Sequence, residues 1–124
     1  MGFLMVFIGG GIGAMVRHGL NLVTVQALGN HFPYATFFIN ITGSLTMGLV
    51  AGYFAFKGDA SQHWRLFITT GILGGYTTFS TFSLDAVLLY ERGETGLAAL
   101  YVVGSVVLAV AGLFAGLALM RQFT

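Results

Sequence analysis

Gly71-Ile72-Leu73-Gly74-Gly75-Tyr76-Thr77-Thr78-Phe79-Ser80-Thr81-Phe82-Ser83 decides how this chain is read. It lies in the middle of an apolar run bounded by Arg65 and Asp85, long enough to cross a bilayer. Three glycines are followed by six hydroxyl side chains and two phenylalanines three residues apart. A segment that only had to dissolve in lipid would carry leucine and valine here. Glycines at membrane depth permit a break in the helix, and backbone freed by a break must face protein, water or an ion. The hydroxyls offer hydrogen bonds across helix contacts or along a path. The stretch therefore reads as the wall of a conduction pathway.

Working outward, composition fixes the class. Of 124 residues, 56% are hydrophobic and 7% charged, and mean hydropathy is +0.88. Soluble domains carry about a quarter charged residues, so the expectation is an all-α integral membrane protein. It forms a single domain over residues 1–124, with four spans at about 3–28, 34–56, 64–90 and 97–120. A net charge of +1 argues against nucleic acid as a partner, and the absence of cysteine excludes disulfides and thiolate metal sites. The N-terminus lacks a basic region and a small-x-small cleavage site, so its apolar start reads as the first span rather than a removed leader.

Each span carries a feature that plain lipid solubility does not require. In the first, Gly9 and Gly13 form a small-xxx-small pair. The same letters with Ala14 fit a dinucleotide fingerprint, but no strand precedes them and no acid follows at the required distance. Arg17 sits well inside this span on the face of Gly13 and Asn21. It either snorkels or turns toward protein to bond loop or helix-end carbonyls. Pro33 suits the first turn of the second span, where Thr36, Asn40 and Ser44 form one polar stripe. Asn40 either glues two helices together or points its amide into a pore, and its glycosylation sequon with Thr42 cannot be reached inside a span. Gly48 with Gly52, and Gly112 with Gly116, repeat the close-packing pattern.

The third span would be about 40 Å long as a continuous helix. A break near residues 74–78, or tilt, would take up the excess. Trp64 and Tyr90 are candidate interface anchors, and Asp85 lies toward one end of the span. In the fourth, Tyr101 and Ser105 share a face. The Lys/Arg bias between the two sides is small, so orientation is weakly set. Four short helices leave little room for an internal pore, which points to a homodimer, antiparallel if both orientations insert.

The polar inventory at membrane depth is mostly donors, with few carboxylates to bind cations. Phenylalanine rings have a positive edge, so Phe79 and Phe82 could solvate a small anion weakly, as conduction requires. A Phe pair at this spacing is also ordinary packing. A proton-coupled four-helix drug exporter needs an embedded acid that the first span lacks. A non-transporting assembly subunit is a further alternative. An enzyme is not expected, because no nucleophile–base constellation appears and His18, His31 and His63 are scattered.

These residues resemble the CrcB/Fluc fluoride channels of bacteria over essentially the whole chain. The likeness is carried by the glycine-rich first span with Arg17, by Asn40, and by Gly74-Gly75-Tyr76-Thr77-Thr78-Phe79-Ser80-Thr81-Phe82-Ser83. The resemblance implies a dual-topology antiparallel homodimer in the bacterial inner (plasma) membrane. It implies two fluoride pathways and passive export that confers fluoride resistance. Phe79 and Phe82 match the family's pore phenylalanines, and Asn40 its pore asparagine with Thr36 one turn away. Ser80, Thr81, Tyr101 and Ser105 match polar positions along the pathway. Arg17 matches an arginine near the vestibule. Asp85 stands where a glutamate is usual, and Ala109 where some members have serine. The resemblance further implies a structural Na+ at the dimer interface, held by backbone carbonyls of Gly74 and Thr77.

Overall fold

The computed structural model describes residues 1–57 and 61–123, of which Phe56 and Lys57 are described by backbone alone. Asp59, expected in the polar loop after the second span, lies outside the described residues. Helix α1 is Gly2–Leu28 and α2 is Tyr34–Lys57. The third span is composite: α3 (Gln62–Arg65), a π-helical stretch Leu66–Leu73, one turn α4 (Gly74–Tyr76) and, after an interruption, α5 (Phe79–Glu91). Helix α6, Thr95–Gln122, is the last helix among the described residues. Among the described residues, four helical segments are long and apolar enough to cross a membrane: Gly2–Leu28, Tyr34–Ala55, Gln62–Glu91 and Thr95–Gln122.

Short turns set the connections. Gly29 and Gly93 end α1 and α5 at φ 76° and 83°, a left-handed backbone that a Cβ would strain. The Pro33 carbonyl accepts the Phe37 N–H at 3.1 Å, so Pro33 immediately precedes α2 rather than forming its first turn.

Glycine decides which helices touch. At Gly13 a Cβ would overlap the Ile72 carbonyl oxygen, and at Gly9 it would lie 2.6 Å from the Phe67 carbonyl oxygen. Helix α1 therefore lies backbone against backbone on the π stretch. On the opposite side Gly48 meets the Leu113 carbonyl, and a Cβ at Gly116 would fall 2.5 Å from the Leu45 carbonyl. These contacts fasten α2 to α6. Gly112 differs from the sequence expectation: its nearest neighbour would be 3.5 Å away, an ordinary contact that does not demand glycine.

The π stretch was not legible in the sequence. Its i→i+5 bonding widens the helix where the Thr69 hydroxyl bonds back to the Arg65 carbonyl at 2.6 Å. The break itself lies at Thr77–Thr78, where ψ swings to 158° and 121°.

A cleft beside the interrupted third helix

The interruption is held from three directions. Asn40 of α2 donates its amide N–H to the Thr78 carbonyl and accepts the Thr78 N–H, both at 2.9 Å. The Arg17 guanidinium donates Nε–H to the Gly75 carbonyl at 3.1 Å. The Tyr76 hydroxyl lies 2.9 Å from the Thr42 hydroxyl. Arg17 thus bonds a helix-end carbonyl, as one of its two sequence readings expected. Asn40 does act as glue, but one of its two amide hydrogens is not used on Thr78.

The interruption parts four carbonyls, those of residues 74–77, from the N–H groups that an unbroken helix would give them. In an unbroken helix the Gly74 carbonyl would take the Thr78 N–H, and the Thr77 carbonyl the Thr81 N–H. Here the first N–H goes to Asn40 and the second to the Thr78 hydroxyl, at 3.2 Å. The Gly74, Tyr76 and Thr77 oxygens are thereby parted from those donors, the Gly75 oxygen takes Arg17 instead, and Gly74 is exposed on the chain surface. Among the described residues no group of three or more His, Cys, Asp or Glu could hold a metal.

Between α2, the break and α6 lies an open cleft of about 370 Å³. Asn40, Ser44, Thr77, Thr78 and Ser105 give it polar edges, while Met47, Val106, Ala109, Val110 and Leu113 line its apolar part. Phe79 and Phe82 stand at its wall, with ring centroids 5.6 Å apart. They are not equivalent: Phe82 is 8% exposed and Phe79 77%. Phe82 packs on Tyr101 at 5.2 Å, whereas Phe79 projects from the chain.

Ser105 is the chemically unresolved member. It is buried, and among the described residues its Oγ is the buried side-chain oxygen with no hydrogen-bond partner. Leaving such a group unpaired costs about 1–3 kcal/mol, so the cleft offers a hydroxyl donor to whatever enters.

The remaining candidates fall outside the cleft lining. Tyr101 is wholly buried and donates its hydroxyl to the Asp85 carboxylate at 3.2 Å. Thr36, also buried, is within hydrogen-bonding reach of both. The three form a polar cluster nearer the α5–α6 turn than Ser105 is. Thr81 gives its N–H to the α5 cap, and Ser80 is exposed beside the Thr78 hydroxyl at 3.5 Å. Sequence reading missed Thr78 as the residue Asn40 binds and the Thr42–Tyr76 contact. Thr42 lies off the Thr36–Asn40–Ser44 stripe and gave no periodic signal.

Fold and cleft together define a small polytopic membrane protein with a donor-edged groove at a broken helix. Residues 4–117 match the family model described as CrcB-like protein, Camphor Resistance (CrcB), and the chain belongs to that family. It is 72% identical over its full length to the fluoride-specific ion channel FluC of Rhodopseudomonas palustris, whose whole length is covered. It is 67% identical, again with both chains covered completely, to the fluoride-specific ion channel FluC 2 of Nitrobacter hamburgensis. Identity to the fluoride-specific ion channel FluC of Methylobacterium nodulans is 59%, over 97% of this chain and 96% of that protein.

Proposed function

We propose that this chain is a fluoride channel rather than an enzyme, releasing cytoplasmic fluoride passively down its electrochemical gradient. The observation that carries the reading is the cleft, where the unpaired Ser105 hydroxyl, the Asn40 amide and the Phe79–Phe82 pair converge beside the interruption. Close relatives named as fluoride-specific ion channels support it.

Fluoride is small and strongly hydrated, so a narrow route must replace its water with close donors. Ser105 supplies O–H, Asn40 its remaining amide N–H, and the two rings their positive edges. These neutral groups hold an anion weakly enough to let it leave. A negative-inside potential adds about 2.3 kcal/mol per charge per 100 mV of outward drive. Thr36, Tyr101 and Asp85 continue the polar route toward the α5–α6 turn, with Ser80 and Thr81 flanking the rings. Arg17 steadies the break at the vestibule side. Sustained release of this kind confers fluoride resistance on a bacterium carrying the protein in its inner membrane.

The functional unit we propose is an antiparallel, dual-topology homodimer with two pathways, its broken helices at mid-membrane. The projecting Phe79 ring and the weak Lys/Arg bias support that arrangement. Released carbonyls of Gly74 and Thr77 fit a Na+ site, since oxygens freed at a helix break are cation ligands. Bound there between two copies, Na+ would supply fixed positive charge that fastens the breaks together.

The test is fluoride release from liposomes carrying the purified chain, read with a fluoride electrode, for wild type, Phe79→Ile and Phe82→Ile. Slower release by both variants is expected. Wild-type rates in both would remove the rings from the mechanism, and no release by the wild type would end the channel reading.

A further inference from the structure

At the end of the bundle where α1 joins α2 and α5 joins α6, Asn30, His31, Pro33, Asp85, Leu88, Leu89 and Arg92 enclose a second, smaller pocket of about 80 Å³. We infer that this pocket is the water-facing mouth of the anion pathway and that Arg92 recruits anions to it. The inference rests on the fluoride-channel reading above.

Continuity is the first argument. Phe82, in the wall of the large cleft, packs on Tyr101 at 5.2 Å. The Tyr101 hydroxyl donates to Asp85 at 3.2 Å, and Asp85 lines the small pocket. The helices give the same order. From the turns inward come Thr36 then Asn40 on α2, Asp85 then Phe82 on α5, and Tyr101 then Ser105 on α6, successive members being about 4.5–6 Å apart along each axis. The small pocket is the solvent end of that row.

Charge is the second argument. A carboxylate lining the mouth repels fluoride, so the mouth needs a cation held in place. Arg92 meets the need: its Nη2–H bonds to the His31 carbonyl, which fixes the guanidinium on the pocket wall and closes the two turns against each other. At the rim, Glu94 lies 3.9 Å from His31 and exposed Glu91 adjoins Arg92, so these acids and Asp85 oppose the attraction that Arg92 supplies. Coulomb attraction in water at roughly 6 Å raises the local concentration of a monovalent anion about threefold, and salt screens it over a Debye length of about 10 Å at 0.1 M.

The experiment compares wild type, Arg92→Gln, Arg92→Lys and Glu94→Gln in fluoride-efflux liposomes at about 10 mM and about 500 mM ionic strength. At low salt Arg92→Gln is expected to slow release about threefold, Arg92→Lys to retain most of it, and Glu94→Gln to speed it modestly. At high salt the four rates converge. Equal rates for Arg92→Gln and wild type at low salt would overturn the inference. So would a loss in Arg92→Gln that salt leaves unchanged, which marks a structural bond to His31 instead. A wild type that conducts while Arg92→Gln shows no salt-dependent change refutes the mouth and leaves the channel reading standing.

Discussion

The two halves of the third span are built on opposite rules. Its first half, Gln62–Tyr76 by way of the π stretch, meets α1 through glycine, with backbones so close that no Cβ fits at Gly13. Its second half, Phe79–Glu91, meets α6 through ring-sized side chains, Phe82 against Tyr101 at 5.2 Å. Close backbone packing leaves no space and makes a frame. Packing at side-chain distance leaves a cleft, and the interruption between the halves supplies its polar backbone. One apolar span thus yields a rigid wall and an open groove, the difference set by where glycine stops and phenylalanine begins.

Forcing a side chain into the glycine half breaks that contrast most severely. Gly13→Leu places atoms on the Ile72 carbonyl and is expected to abolish monodisperse protein in gel filtration. Gly11→Leu, where a Cβ meets nothing within 4 Å, is expected to leave the elution profile unchanged. The junction comes next. Asn40→Ala removes two bonds to Thr78, and thermal unfolding in detergent should show a loss of roughly 2 kcal/mol, together with a collapse of fluoride release. In the open half, Ser105→Ala leaves folding intact because its hydroxyl bonds none of the described residues. Losing one donor worth about 1.4 kcal/mol to the passing ion slows release about tenfold. Tyr101→Phe is the mildest: it deletes the bond to Asp85 and keeps the ring packing, so release should fall only a few-fold, about 1 kcal/mol.

Much of this was legible before any coordinates. Gly9, Gly13 and Gly48 announced close contacts by their spacing, and glycines followed by hydroxyls allowed a break near residues 74–78, with tilt as the alternative. What was hidden depends on partners distant in sequence. That the Asn40 amide would bracket Thr78, 38 residues away, follows from helix packing rather than from any local pattern. The same holds for Tyr101, whose likeness to Ser105 on one face concealed that it turns to Asp85. The π stretch packs against α1, and Leu66–Leu73 is as apolar as any ordinary span, so its own letters do not mark it. Gly112 shows the reverse failure, since a spacing motif reports permission for close approach and only the neighbour decides whether it is used.

The most direct measurement is anion release from liposomes containing only the purified chain, with fluoride and chloride followed in parallel. Rapid loss of fluoride with chloride retained is expected of a groove that replaces hydration by a few close neutral donors. Chloride leaving as fast as fluoride, or neither leaving, would contradict it.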